Sequence, residues 1–97
     1  MLPVEYLAGA RRDFDESFDW YAERSSVAAE EFSHSVDDSL ARINASPEQF
    51  EFVDQRHRAC LLKRFPFRII YRIEPTRILV VAVAHAKRRP GYWKARK

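Results

Sequence analysis

The spacing of apolar residues changes once along this chain, near Pro47, from a helical period to the alternation of strands. Before that point, Phe14, Phe18 and Tyr21 follow one another at i, i+4 and i+7, which predicts an amphipathic helix over about residues 10–22. A second apolar stripe predicts a helix that is capped by Ser25 or Ser26 and ends near residue 44 or 45. The short break between the two helices favours an antiparallel hairpin.

After Pro47 the pattern predicts three strands. Apolar residues alternate with mostly charged ones over residues 67–74, and residues 78–84 are apolar on both faces, as in a central strand. Shorter strands are predicted over residues 59–64 and, more weakly, over residues 3–7, the latter at an edge or beside the central strand. The order β-α-α-β-β-β predicts an α+β fold, with the helical hairpin on one face of a small, mainly antiparallel sheet. The opposite face of the sheet is then expected to carry Arg and Lys side chains.

Length and composition exclude several classes of protein. A chain of 97 residues, 46% of them hydrophobic, suits a single globular domain over residues 1–97. No apolar run approaches the roughly 20 residues of a membrane span, and the N-terminus lacks the features of a secretory signal. Cys60 is the only cysteine, which excludes an intrachain disulfide and a cysteine-based zinc site. We therefore expect a cytoplasmic protein without a membrane partner.

Charge is divided unevenly along the chain. Residues 1–55 hold four basic and thirteen acidic residues, a net charge of −9, whereas residues 56–97 hold thirteen basic residues and one acid, a net charge of +12. A basic half in a small domain usually indicates a polyanionic partner, such as nucleic acid, an acidic protein or acidic lipid. Alternatively, the acidic helices neutralise the basic sheet within the fold.

Several of these residues recur together in one known family. They are Tyr21 at the end of the first helix, Arg58 before a strand, the segment FPFRIIYR at residues 65–72, and HAKRRPGYW at residues 85–93. In this the chain resembles the ParE branch of the RelE/ParE toxins of type II toxin–antitoxin (plasmid stabilisation) systems, over essentially its whole length. The resemblance implies a RelE/ParE-like fold and a toxin that a cognate acidic antitoxin neutralises. No cofactor and no metal are expected.

The resemblance leaves two targets open, because ParE-like toxins inhibit DNA gyrase and RelE-like toxins cleave mRNA on the ribosome. RNA cleavage requires a general base, a general acid and cations at the phosphate. The strand lysines of RelE-like enzymes fall here on Ala59 and Leu61, which cannot transfer a proton. We therefore favour gyrase inhibition, with no catalytic residues. The alternatives are a ribosome-dependent endoribonuclease and a non-toxic basic binding module. The nuclease would use His85, Arg68, Arg88 and Tyr92.

The C-terminal cations and aromatic residues are the candidates for contact with the antitoxin or the target. They are Arg58, Arg68, Arg72, Lys87, Arg88, Arg89, Tyr92, Trp93 and Arg96. The simpler interpretation is that Tyr92 and Trp93 pack the tail against the sheet and leave the cations in water. The two interpretations are compatible if the aromatic rings face inward and the cations face outward towards a partner. Of the remaining polar residues, His57 is expected at the surface and Asp13 on the polar face of the first helix. For His85 we favour a strand-end histidine that is hydrogen-bonded to backbone or to the C-terminal segment over a role in acid–base chemistry.

Overall fold

The order of secondary structure elements is the one that the sequence predicts. The computed structural model describes residues 1–97 and contains four strands, two α-helices and a short 3-10 turn. The elements are β1 (Val4–Tyr6), α1 (Ala8–Ala22), α2 (Ser26–Ala45), the 3-10 turn Pro47–Gln49, β2 (Arg58–Leu61), β3 (Phe67–Ile73) and β4 (Ile78–His85).

Local sequence signals set the ends of the helices. The hydroxyl of Ser25 accepts a hydrogen bond from the N–H of Ala28 at 3.1 Å, so Ser25 caps α2 as predicted. The helix ends at Ala45, two residues before Pro47, because a residue before proline avoids helical geometry. Helix α1 begins at Ala8, two residues earlier than the apolar stripe indicates. Neither helix is both long and apolar enough to cross a bilayer.

The sheet has the order β1-β4-β3-β2, with β4 and β3 at its centre. Strands β2, β3 and β4 pair antiparallel. Strand β1 lies at an edge and pairs parallel with the central strand β4, as the sequence analysis predicted. Strand β2 ends at Leu61 rather than at residue 64, so the longer prediction is wrong there. The reason is the connection to β3, in which Arg64 has a positive φ of 69°.

The larger core lies between the helical hairpin and the sheet. Phe32 of α2 is fully buried at its centre, and its ring lies 5.5 Å from that of Phe14, 5.3 Å from that of Tyr21 and 4.9 Å from that of Phe67. The alternating residues Phe67, Ile69 and Tyr71 of β3 face this core. The aromatic stripe of the two helices is thus a packing surface.

The opposite face of the sheet is not the basic surface that the sequence led us to expect. A second apolar cluster covers it, because the chain after β4 folds back over the sheet and buries Trp93 to 2% exposure. Trp93 packs there with Ile70, Val81, Ala82 and Ala84. A strand that is apolar on both faces, such as β4, needs cover on both. The cations therefore lie around the rim of this cluster and in the turns of the tail.

Candidate functional site

Two grooves open beside the end of β4, one on each side of the turn that follows His85. The first, which we call the helix groove, lies between α1 and the ends of β3 and β4 and has a volume of about 570 Å³. Its floor is apolar, whereas Glu16, His85 and Arg88 supply polar groups. The residues that line it are Asp13, Glu16, Ser17, Trp20, Tyr21, Pro66, Phe67, Val83, His85 and Arg88.

The second groove, which we call the tail groove, lies between the β2–β3 connection and the C-terminal turns. It has a volume of about 320 Å³, and no Asp or Glu lines it. Arginine side chains and apolar groups form its walls instead. The residues that line it are Leu61, Phe65, Pro66, Phe67, Arg68, Ala84, His85, Ala86, Arg88, Arg89, Pro90, Gly91, Tyr92 and Trp93.

A buried carboxylate on α1 fixes the position of the C-terminal tail. Asp13 is 5% exposed, and its Oδ2 accepts hydrogen bonds from Val83 N (3.1 Å), Tyr92 Oη (3.0 Å) and Arg96 Nη1 (2.7 Å). Arg96 Nη2 also donates to Oδ1 at 3.1 Å. Gly9 leaves room for this guanidinium, because a Cβ there would lie 2.6 Å from the Nε of Arg96. The network joins α1, β4 and the tail.

The same two charged side chains take the place of a strand along part of β4. Strand β1 ends at Tyr6, short of the last residues of β4. Beyond that point Asp13 accepts from the N–H of Val83, and Arg96 Nη1 donates to the carbonyl of Val81 at 3.0 Å. The N–H of Val83 and the carbonyl of Val81 therefore have hydrogen-bond partners, although no strand pairs with β4 at this point.

Burial holds two tyrosines in the neutral form. Burial is the main cause that raises the pKa of Tyr92 to about 12, and the charge and hydrogen bond of Asp13 act in the same direction. Burial likewise raises the pKa of Tyr71 to about 12, and its hydroxyl donates to the carbonyl of Pro47. Both hydroxyls are thus hydrogen-bond donors at neutral pH, and Tyr92 is poorly suited to exchange a proton with a substrate.

These two tyrosines predict a loss of stability in alkali. Below the ordinary tyrosine pKa of about 10, the folded and unfolded chains carry the same tyrosine protons. As the pH rises towards about 12, the unfolded chain loses those protons first, so the free energy of unfolding is expected to fall. Urea denaturation across this pH window measures the effect. The Tyr71→Phe/Tyr92→Phe variant is expected to lose most of the slope; an equal slope in both proteins would contradict the prediction.

The cations of the basic half fall into two groups. Five of the thirteen Lys and Arg residues after Gln55 form ion pairs, and they are Lys63, Arg64, Arg72, Arg77 and Arg96. Only three of those pairs involve carboxylates of the helices, so internal neutralisation accounts for a minority of the basic charge. Arg68, Arg88 and Arg89 have no carboxylate partner and line the tail groove. An accessible positive surface therefore remains.

Four of the predicted binding residues make contacts within the protein. Arg58 donates to the carbonyls of Glu48 and Phe50 at 2.9 and 2.8 Å, away from both grooves. Arg72 is buried beside Glu74, and Arg96 is bound to Asp13. Trp93 belongs to the second core and anchors the tail; it lines the tail groove with only 2% of its surface exposed.

The other five predicted residues lie at or near one place. Arg68, Arg88, Arg89 and Tyr92 line the tail groove, and Lys87 is exposed in the adjoining turn. Arg88 is held over the ring of Tyr92, with its Cζ 3.8 Å from the ring centroid. Since Tyr92 is itself bonded to Asp13, the buried network positions this exposed guanidinium.

His85, the last residue of β4, lines both grooves. Its Nδ1 accepts a hydrogen bond from the N–H of Lys87 at 3.0 Å, and its ring stands edge-on to that of Phe67. All four residues of the possible nuclease set, His85, Arg68, Arg88 and Tyr92, line the tail groove. Of these, Tyr92 already donates its proton to Asp13.

His57 is buried rather than at the surface, which corrects the sequence-based expectation. Its Nδ1 lies 2.9 Å from Oδ2 of Asp54, and its ring stands 4.9 Å from that of Trp93. Burial would raise the pKa of Asp54, but the N–H groups of Arg56 and His57 together with the imidazole hold it below its ordinary value. His57 thus supports the loop before β2 and the docked tail.

Asp13 is the important residue that the sequence analysis placed wrongly. We expected it on the polar face of α1, and it is instead the most connected side chain of the tail network. Its position carried a usable signal: it lies three residues after the buried Ala10 and next to Phe14, on the inward side of the helix. An acidic residue at such a position requires a buried partner.

Comparison with known proteins gives a family and a fold. A sequence model described as "ParE toxin of type II toxin-antitoxin system, parDE" matches residues 4–90. Among solved structures, a chain of the "Chromosomal ParDE TA system from P. aeruginosa" superposes with a TM-score of 0.65 at 17% identity, covering 90% of this chain and 98% of that one. No curated protein sequence matches. The structural likeness, at this identity, concerns the fold alone.

Proposed function

Because the chain belongs to the ParE toxin family of type II toxin–antitoxin systems, we propose that it inhibits DNA gyrase and that a cognate acidic antitoxin neutralises it. The observation that carries this proposal is the family match over residues 4–90, which spans every strand and both helices. Fold alone would not be enough, since one fold serves many functions.

The residue types on β2 favour gyrase inhibition over RNA cleavage. Ala59 and Leu61 occupy the positions where RelE-like enzymes are expected to carry lysines, and neither side chain can exchange a proton. Tyr92, another candidate acid, has a pKa of about 12. The cations of the tail groove, Arg68, Arg88 and Arg89, suit binding of an anionic partner better than bond cleavage.

The helix groove suits an amphipathic helix of the antitoxin. Tyr21, Phe67 and Val83 provide apolar surface, and Arg88 offers a charge to an acidic side chain. Trp20 also lines this groove and is half exposed. Tryptophan is among the residues that contribute most to the affinity of protein–protein interfaces. Since Arg88 also lines the tail groove, an antitoxin bound here would cover a cation that the target needs. Neutralisation would then be competition for Arg88.

Substitution of Arg88 by Glu is expected to weaken both interactions. The reversed charge should raise the concentration of protein needed for half-inhibition of gyrase supercoiling at least tenfold, which corresponds to about 1.4 kcal/mol. Antitoxin affinity should fall in parallel. Arg12→Glu is the matched control, because Arg12 is exposed on α1, has no ion pair and lies in neither groove. Equal inhibition by the two variants would contradict the assignment of Arg88.

Induction of the chain alone in bacteria distinguishes the three candidate functions. Gyrase inhibition predicts a DNA-damage response, and purified protein should block supercoiling and accumulate cleaved plasmid. Ribosome-dependent cleavage predicts mRNA cuts that disappear in the His85→Ala variant. Normal growth with abundant folded protein would leave the non-toxic binding module. Co-expression with an acidic protein encoded next to this chain should restore growth if that protein is the antitoxin.

A further inference from the structure

We infer that the tail groove binds the phosphodiester backbone of single-stranded DNA, so that this protein contacts the nucleic acid as well as the protein of its target. The inference rests on the proposed function, because gyrase works on DNA. The groove adjoins the helix groove that we assign to the antitoxin and shares Pro66, Phe67, His85 and Arg88 with it. Its occupant is identified by three features: charge, shape and the rigidity of the charged groups.

The charge of the tail groove is of one sign. Arg68, Arg88 and Arg89 line it, and no carboxylate lies among its lining residues or within ion-pair distance of these three guanidinium groups. By contrast, the helix groove has Asp13 and Glu16 in its wall. A cleft walled by uncompensated arginines raises the local concentration of an extended polyanion. Arginine also offers the paired N–H donors that match phosphate oxygens.

The shape of the groove favours a strand of nucleotides over a simple anion. A volume of about 320 Å³ exceeds that of one phosphate group, and apolar surface from Leu61, Phe65 and Pro66 lies beside the cations. Leu61 is among the most exposed large apolar residues of the chain. A groove that combines cations for the backbone with apolar contacts for bases is typical of single-strand binding.

The Arg88 side chain, and the turn that carries Arg88 and Arg89, are held in place before any ligand arrives. The N–H of Arg88 donates to the carbonyl of His85 at 3.0 Å, and the N–H of Tyr92 donates to that of Arg89 at 3.2 Å. Gly91 closes this turn with a φ of +74°, which other residues rarely adopt. Arg88 is stacked on Tyr92, which Asp13 anchors. Prior ordering of this kind lowers the entropic cost of binding.

Fluorescence anisotropy with a labelled oligothymidylate tests the inference without gyrase. The wild-type protein is expected to bind it, with an affinity that falls as salt rises, by a log–log slope of about −0.7 for each phosphate contacted. Three contacts therefore give a slope near −2. The Arg68→Gln/Arg88→Gln/Arg89→Gln variant is expected to bind at least thirtyfold more weakly and to lose most of that slope. The three replaced arginines have no carboxylate partners, so the variant is expected to remain folded. Circular dichroism checks this.

The matched control removes three arginines from another surface. Arg11→Gln/Arg12→Gln/Arg24→Gln carries the same change of net charge, and its three positions are exposed on or just after α1. This variant should bind the oligonucleotide within about threefold of wild type if the groove, and not overall charge, is responsible. Equal losses in the two triple variants would overturn the inference.

Other ligands define the remaining outcomes. Tighter binding of an oligouridylate than of the DNA strand would assign the groove to RNA and overturn the inference, and so would equal binding of a polyglutamate of the same length. The result also separates this inference from the proposed function. Gyrase inhibition without oligonucleotide binding would refute the DNA contact but not the proposed function. Oligonucleotide binding without gyrase inhibition would refute the proposed function but not the DNA contact.

Discussion

Truncation of Phe32 to Ala is expected to lower the free energy of unfolding by about 4 kcal/mol. The ring is fully buried, and it packs against Phe14, Tyr21, Phe65 and Phe67 with centroid distances of 4.9 to 5.7 Å. These partners come from α1, from β3 and from the loop before β3, so no single element can move to fill the cavity. The cost is therefore the lost transfer free energy plus that of the cavity.

The matched control for this prediction is Phe52→Ala. Phe52 is 56% exposed, and its ring contacts the guanidinium of Arg58 at 3.9 Å. Its truncation removes the same atoms from a solvated place and is expected to cost less than about 1 kcal/mol. Urea denaturation followed by circular dichroism measures both variants. Similar losses in the two proteins would show that the helix–sheet interface is not the main core.

Replacement of Asp13 by Asn is expected to cost about 3 kcal/mol. The substitution keeps the size of the side chain but removes the charge that faces the Arg96 guanidinium, whose side chain is 21% exposed. It also replaces one of the two oxygens that together accept from Val83, Tyr92 and Arg96. Without its carboxylate partner, the partly buried guanidinium is desolvated and no ion pair compensates for this. The loss of stability is therefore larger than for a surface ion pair.

Release of the tail gives this variant a second, local readout. In a Trp20→Phe background, Trp93 is the only tryptophan left, and its emission should move to longer wavelength when the tail detaches. Asp15→Asn is the control, since the pair of Asp15 with Arg11 is exposed and measures 3.6 Å. That change should cost no more than about 0.5 kcal/mol and leave the emission unchanged. A stable Asp13→Asn protein with wild-type emission would show that the network does not hold the tail.

The sequence was sufficient for the local structure. A helical apolar period, Ser25 as a cap and Pro47 as a stop predict α1 and α2 to within two residues. Alternation over residues 67–74 and the apolar run over residues 78–84 predict β3 and β4 to within one residue at each end. These signals work because each depends on backbone geometry and side chains within a few residues of one another. The spaced motifs at residues 65–72 and 85–93 were enough to indicate the family.

The candidate site was predictable only in part. The unpaired cations Arg68, Arg88 and Arg89 were among the predicted residues, and the structure brings them to one groove. Nothing local to Arg58 or Arg96 distinguishes them from those three, yet each is used inside the protein. Arg72 differs, because its partner Glu74 lies only two positions further along the chain. An arginine looks the same in a sequence whether it meets water, a carbonyl or a carboxylate.

What the sequence alone determined was which segments form helices and strands, and which face of each helix is apolar. Tertiary structure decided how the tail is used, because Asp13 and Arg96 are 83 positions apart and meet only when α1, β4 and the last residues are assembled. The second core under Trp93 and the burial of His57 arise in the same way. Local periodicity records whether a residue faces inward. Which distant group it meets depends on the path of the whole chain.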